Sequence, residues 1–437
     1  MAKVQLPEDL KREVLRMFVH YNSAADCIRT YRYKDGVAYL PPNITKLKAV
    51  ATLLGTDIID CRSKGLPLSK PFELNPDFTF RPHQVDPAHA LLEFTLREKY
   101  GVLEADCGCG KTVTMTWVAG QLGSKVLILV DMGSLQTQWQ AAFDIVWKRQ
   151  VQIVERNAKL FDDVAVATFQ LLHANPELTL RIRKEYGCLL LDEFHSTASD
   201  TRREILMKMD NEYRLGCTAT LMKKGYANDV LTDMVSDQRI VMIDESALKA
   251  DVVFLPTETK FYSENPDDWG KIQSALGKDL ARNKLMADLT ISLVQQGRKV
   301  LTVGVTVGTL KQVAMYLKKS GIKHVLYTGS TTLAQDLALR DKLAHGMIDA
   351  ILTVRKADKG LDLPALDALV NGRPSNNQSF VEQLSGRIVR RLDGKPTPLI
   401  VDLVDKGDLA KRFATNRTRW YQKLGYQLKT SDVFSFM

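Results

Sequence analysis

Cysteine is sparse and unpaired in this chain. Six residues, at positions 27, 61, 107, 109, 188 and 217, are spread over 437, and none forms a C-x-x-C pair. That spacing argues against a structural zinc site or a disulfide framework and suits a reducing compartment. Cys107 and Cys109 stand close together, but with no second ligand pair beside them they read as loop residues. Long apolar runs are missing too. Nothing approaches the roughly 20 residues that cross a bilayer, and the opening "MAKVQLPEDLKREV" has charges with no apolar stretch behind them. The expected location is the cytoplasm, with no membrane partner. Low-complexity tracts and short-period repeats are also absent.

Net charge is missing from the middle of the chain. Residues 1–75 carry 12 basic and 8 acidic side chains and residues 406–437 carry 7 and 2, so residues 76–405 sum to zero within a formal net charge of +9. The excess sits at the two ends, where an anionic polymer could be gripped, although solvated charge kept for solubility has the same signature. A length of 437 residues, 45% hydrophobic and 25% charged, predicts two or three globular domains.

In the first segment, Leu10, Val14, Met17 and Phe18 recur at helical spacing. "CIRTYRYKDGVAYLPP" then alternates on both sides of Asp35-Gly36, the dipeptide of a two-residue hairpin turn. A further helix is expected at "NITKLKAVATLLG", capped by Asn43 or Thr45 and stopped by Gly55. Residues 1–75 therefore read as a small α+β unit with "RSKGLPLSKPFELNP" as linker.

From residue 76 to 245 short apolar runs alternate with helical patterns: "KVLILV", "VAVATF", "CLLLD" and "RLGCTAT". The alternation restarts over 255–405. Buried strands separated by helices predict parallel sheets covered on both faces, hence two successive α/β domains joined between residues 240 and 260. The last segment, 406–437, reads as a basic helix ending near Gly425. Its Arg417, Arg419, Lys423, Trp420 and Tyr421 could meet phosphates and bases, or the aromatics could dock the helix onto the second domain.

Chemistry enters at "EADCGCGKT", residues 104–112. Gly108 and Gly110 permit a tight turn that points N–H groups inward, and Lys111 and Thr112 add a charge and a hydroxyl. A P-loop has the pattern G-x-x-x-x-G-K-[ST] between strand and helix; here Ala105 stands at the first glycine and the remainder is complete. The loop predicts ATP with Mg²⁺. Backbone N–H groups of Gly108, Cys109, Gly110 and Lys111 would surround the β-phosphate, Lys111 would reach the β and γ oxygens, and Thr112 would meet the metal. Alkylation of Cys107 or Cys109 should then be blocked by ATP. At "LLLDEFH" a strand ends in two acids: Asp192 suits the metal and Glu193 the proton of the attacking water.

These stretches, with others in fixed order, resemble the superfamily-two nucleic-acid helicases over about residues 76–405. "FRPHQ" (80–84) is similar to the adenine-reading motif, "ADCGCGKT" to motif I, "DMGSLQTQW" (131–139) to Ia and "VATFQ" (166–170) to Ib. "DEFH" (192–195) resembles motif II, "TAT" (218–220) motif III, "ILTVRKADKGLDLP" (351–364) motif V and "QLSGRIVRR" (383–391) motif VI. The resemblance implies two tandem RecA-like domains behind a small α+β N-terminal domain. Arg81 and Gln84 would read adenine, and Gly360, Asp362 and Gln383 would contact nucleotide from the second domain. Arg387 and Arg390, three apart on one helix turn, would act as arginine fingers. His195 with Thr218, Ala219 and Thr220 would relay the nucleotide state, and Ser134, Gln138, Thr168, Gln170 and Thr353 would hold a strand by polar contacts.

Phe194 in place of alanine, Leu221 in place of the usual proline and a motif Ia without its Pro-Thr-Arg opening all separate the chain from DEAD-box RNA helicases. With the short N-terminal unit and the R-x-x-W-Y-x-x-x-G-Y ending, they make it look more like phage UvsW-type enzymes, related to XPB-like repair helicases and functionally to RecG-type motors. The resemblance implies a monomeric DNA helicase or translocase acting on branched DNA, such as forks and Holliday-type junctions, in a host cell cytoplasm. An RNA helicase, the motor of a restriction system and a nucleotide-switched DNA clamp stay open as alternatives.

Overall fold

The computed structural model describes residues 2–23, 26–106, 108–131, 133–194, 199–219, 226–260, 269–328, 338–339, 341–343, 345–354 and 363–429. Two compact units divide between Asp244 and Glu245. Among the described residues no helix is long and apolar enough to cross a membrane.

The first unit opens with β1 (Ala2–Gln5), the helix Glu8–Arg16, β2 (Val19–Ser23), β3 (Asp26–Arg29), β4 (Arg32–Lys34), β5 (Val37–Leu40), the helix Ile44–Leu54 and β6 (Ile59–Asp60). The antiparallel sheet runs β4-β5-β1-β6 around a core that includes Val4, Val14, Phe18, Leu40 and Val50. Asp35 at φ +50° and Gly36 at φ +78° both adopt the left-handed region that a two-residue hairpin turn requires, and Lys34 pairs with Val37 across it. Asn43 caps the second helix by accepting the Lys46 N–H at 3.0 Å, and Gly55 ends it at φ +60°.

The alternation around the Asp35-Gly36 turn does not form one hairpin. Its first residues belong to β3, which pairs with β2 as a separate ribbon, and the inner partner of β5 is β1. Only Val4 of β1 is buried, so no periodicity marks that strand in the sequence. The linker is held down rather than loose: Asp163 accepts from Ser69 N at 2.9 Å and Ser69 Oγ at 2.6 Å, and the ring of Phe72 meets Trp147 edge-on.

The large sheet of the first unit comprises β7 (Tyr100–Ala105), β8 (Val126–Val130), β9 (Gln152–Ile153), β10 (Val164–Thr168), β11 (Cys188–Asp192), β12 (Tyr213–Thr218) and β13 (Ile240–Met242). Its order is β13-β7-β12-β11-β8-β10-β9, and every pairing is parallel. Val126 to Val130 are all fully buried, as expected of a strand covered on both faces. All C-terminal strand ends therefore lie on one edge of the sheet, where open α/β sheets place their ligands.

The second unit repeats the scheme with β14 (Asp251–Lys260), β15 (Val300–Val303), β16 (His324–Tyr327), β17 (Ala350–Thr353), β18 (Ala368–Asn371), β19 (Leu399–Lys406) and β20 (Gln427–Lys429). The order is β16-β17-β15-β18-β19-β14-β20, again all parallel. The final segment is not a helix alone. The helix Asp408–Lys423 leads into β20, which pairs with β14 at the sheet edge. Asp402 accepts from Arg417 Nη2 at 2.7 Å, from Tyr421 Oη at 2.9 Å and from Asn371 Nδ2 at 3.0 Å. Arg417 and Tyr421 thus dock the helix and are buried, whereas Lys411, Arg412, Arg419 and Lys423 are exposed along its other face.

Candidate active site

At the end of β7 the chain turns through residues 106–110 straight into the helix Lys111–Gln121. Gly108 at φ +92° and Gly110 at φ +87° make that turn possible. Gly110 is the helix N-cap; a Cβ there would sit 2.0 Å from Gln84 Nε2 and force that side chain to move, and at φ +87° any other residue would be strained. The N–H groups of a first helical turn have no acceptor within the helix, an arrangement that favours a phosphate at this position. Lys111 Nζ donates to the carbonyls of Ala105 (2.9 Å) and Asp106 (3.2 Å), and the Thr112 hydroxyl accepts from Gln138 Nε2 at 3.0 Å.

The adenine-motif residues brace this loop from behind. Gln84 accepts the Arg81 N–H at 2.9 Å through Oε1 and donates to the Cys109 carbonyl at 3.0 Å through Nε2. Arg81 Nη1 donates to the Gly108 carbonyl at 3.4 Å. His83, to which the sequence assigned no role, puts Nε2 3.1 Å from the Cys109 carbonyl and Nδ1 3.5 Å from an Asp244 carboxylate oxygen.

Two strands away in the same sheet, with only β12 between, β11 delivers Asp192 to the same edge. Asp192 is buried; its Oδ2 accepts from Trp139 Nε1 at 3.0 Å and its Oδ1 receives the weaker Cys217 thiol at 3.6 Å. Burial and the neighbouring Glu193 carboxylate raise the Asp192 carboxyl above the usual carboxylate range, against the pull of Trp139 and Lys111. Glu193 itself has φ +47°, a left-handed backbone uncommon for a side chain of its kind and often found where function dictates the geometry. Phe194 is fully buried, and Gly216 of β12 makes room for it: a Cβ at Gly216 would lie 2.9 Å from the Phe194 ring.

This donor set suits a magnesium nucleotide. Magnesium is commonly held by one or two carboxylates with substrate phosphates completing its shell, and here the Thr112 hydroxyl, in the first turn after β7, and the Asp192 carboxylate, at the end of β11, belong to the same sheet edge. A divalent cation would also stabilise the Asp192 anion that burial disfavours. Among the described residues no group of three or more His, Cys, Asp and Glu could hold a metal by itself. Cys109 departs from the expected reactive thiol: it is buried, and burial pushes its thiol up to about 11. Cys107 lies outside the described residues.

The remaining candidates divide. Thr168 caps the helix Phe169–Ala174 by accepting the Leu171 N–H at 3.2 Å, and Gln170 is exposed beside it. Thr218 is buried at the end of β12, with Ala219 half-buried after it. Thr353, expected at a strand, is fully buried at the end of β17 and faces no solvent, because the apolar pattern of β17 turns it inward. Ser134 lies in the helix Gly133–Trp147, but its side chain is outside the described set, as are His195, Thr220, Gly360 and Asp362.

In the second unit Gln383 is buried in the helix Gln378–Ser385. Arg387 and Arg390 are not on that helix. It ends at Gly386, and both arginines follow in a turn whose Ile388 and Val389 are pulled into the core. Lys395 pins this turn by donating to the Arg390 and Pro364 carbonyls at 2.8 Å each, and burial pushes its ammonium down to about 8.

Two parallel seven-stranded sheets, the first bearing a P-loop and an acidic pair on one edge, define a P-loop ATPase of two RecA-like units. The likeness to solved structures agrees: S. cerevisiae Dbp5 bound to RNA and ADP BeF3 aligns at TM-score 0.56 and 14% identity, covering 82% of this chain and 95% of that one, a likeness of fold. The model for "Type III restriction enzyme, res subunit" matches residues 77–223, and that for "Helicase conserved C-terminal domain" matches 281–391. "Probable helicase D10" of Escherichia phage T5 is 22% identical over 333 residues, 75% of this chain and 73% of that protein. "DNA 3'-5' helicase XPB" of Kineococcus radiotolerans is 25% identical over 361 residues, 76% of this chain and 62% of that one. The chain belongs to the superfamily-two helicases and is an ATP-hydrolysing nucleic-acid helicase.

Proposed function

We propose that the chain is a DNA helicase or translocase that remodels branched DNA, forks and Holliday-type junctions among them, in phage recombination, replication or repair. The observation that carries the motor reading is the meeting on one sheet edge of Lys111 and Thr112 with Asp192 and Glu193. DNA is favoured by the likeness to a relative named "DNA 3'-5' helicase XPB". The exposed cations on the helix Asp408–Lys423 add a surface suited to phosphates.

Magnesium, when bound, neutralises charge on the β- and γ-phosphates; Thr112 and Asp192 would hold it. The Lys111 ammonium would turn from the Ala105 and Asp106 carbonyls to the phosphate oxygens, with the loop N–H groups cradling them. Glu193 would accept a proton from the attacking water at its carboxylate. Arg387 and Arg390 would answer to the charge that develops on the transferred group. Arg81 and Gln84 would border the adenine. Gln170 and the exposed helix cations would meet the strand.

The test is ATPase and unwinding side by side on a three-way fork, a four-way junction, a simple duplex and an RNA duplex. Preference for the fork or junction supports the proposal. Preference for the RNA duplex overturns the DNA reading, and brisk ATP turnover with no strand displaced makes the chain a nucleotide-switched clamp.

A further inference from the structure

We propose that Gln138 and Trp139 are positioning residues for the metal, two neighbours on one helix that aim both of its candidate protein ligands. This inference rests on the magnesium site described above. Gln138 Nε2 donates to Thr112 Oγ1 at 3.0 Å, and Trp139 Nε1 donates to Asp192 Oδ2 at 3.0 Å. The two ligands come from different elements, the first turn after the P-loop and the end of β11. The helix Gly133–Trp147 is what holds them in common.

The donor chemistry suits that task. The Thr112 oxygen has two lone pairs; an N–H on one leaves the other for a cation. At Asp192 the indole occupies Oδ2, and Oδ1 has only the weak thiol donor Cys217 at 3.6 Å, so one oxygen is fixed and the other is easily claimed. Neither donor is itself able to accept, so neither competes as a ligand through the atom it uses. Trp139 is fully buried among apolar side chains of the first core, which leaves its N–H one direction.

The helix is anchored at its far end. Trp147 Nε1 donates to the Thr116 carbonyl at 2.8 Å, and its ring lies against Gly120, where a Cβ would stand 2.2 Å from the ring. The helix is therefore locked to the P-loop helix, and Gln138 and Trp139 lie about 12–14 Å up the axis from that lock, at 1.5 Å per residue. A tilt about the anchor displaces both ligands together. Such outer partners commonly set metal affinity by tenfold to a hundredfold.

The experiment uses the full chain, wild type and the variants Trp139→Phe and Gln138→Leu. Each removes one donor and keeps most of the volume. The affinity for a fluorescent ADP is measured in EDTA, and then the Mg²⁺ concentration that gives half of the metal-linked gain. The expected result is affinity in EDTA within about twofold of wild type and a Mg²⁺ midpoint raised about tenfold or more in each variant. An unchanged midpoint in either variant overturns the proposal, as does a matching loss in EDTA, which marks general damage to the site. Gln138 is half-buried rather than core, so Gln138→Leu carries the test alone should Trp139→Phe fail to fold. A wild-type protein whose ADP affinity ignores Mg²⁺ would instead refute the underlying site, a separate failure.

Discussion

His20 and Asp233 are 213 residues apart in sequence and 2.7 Å apart in the fold, imidazole Nε2 to carboxylate Oδ2. Asp233 lies in the helix Tyr226–Met234, and its side chain is fully buried. The same carboxylate accepts from Thr30 Oγ1 at 2.7 Å, Asn43 Nδ2 at 2.9 Å and Lys46 Nζ at 2.9 Å. Four donors from the N-terminal segment thus converge on one acid of the large sheet's flank. Burial alone would raise this carboxyl, but His20, Lys46 and Thr30 outweigh it and hold it below its ordinary 3.8. Asp233→Ala strands several buried donors and should cost about 3–5 kcal/mol, the usual penalty for breaking a buried pair. Urea unfolding measures it.

The same group sets a pH dependence. A carboxyl whose folded value is depressed contributes its stability fully above the unfolded value near 3.8 and loses it as pH falls through the folded value. Urea midpoints should therefore drop on acidification below that point, and Asp233→Asn should flatten this part of the curve. Equal slopes in wild type and variant would refute the assignment.

Lys111→Ala should abolish hydrolysis, by about a hundredfold or more, while circular dichroism stays native. Glu193→Gln should retain ATP binding and lose turnover by about 10²–10⁴. A Glu193→Gln protein with normal turnover would remove Glu193 as the base.

Gly216 and Phe194 predict a compensating pair. Gly216→Ala places a methyl against the Phe194 ring and should cost about 1–3 kcal/mol through overpacking. Phe194→Ala should cost about 3–5 kcal/mol through the cavity it leaves. The double variant should lie closer to Phe194→Ala than the sum, since the added methyl no longer meets a ring. Strict additivity in thermal unfolding would show that the two do not touch.

Arg417 and Arg419, two residues apart, should behave oppositely. Arg417→Ala leaves Asp402 buried without its guanidinium and should cost about 3–5 kcal/mol in stability. Arg419→Glu should leave the melting temperature within about a degree, because an exposed charge contributes little. It should weaken DNA binding and lower its salt dependence. Unaltered binding by Arg419→Glu would place the strand elsewhere.

Much of this protein was legible in its residues. The strands β8, β10, β11 and β12 announce themselves as apolar runs because a sheet covered on both faces needs no polar alternation, whereas β9, only Gln152 and Ile153, left no such run; the P-loop is local: Gly110, Lys111 and Thr112 act where they stand. The turn at Asp35-Gly36 and the cap at Asn43 are equally local, since each is a property of one or two backbone positions. Relationships across the chain were hidden. Gln138 stood in a motif similar to strand-binding segments and Trp139 read as an apolar helix residue, yet they meet Thr112 and Asp192. The last helix left its aromatics and cations undecided between nucleic acid and core until Asp402 claimed Arg417 and Tyr421. Short-range chemistry, the glycine conformations and apolar periodicity, is written in neighbouring letters. Which donor reaches which buried acid depends on how sheet and helices pack, and only the tertiary structure decides that.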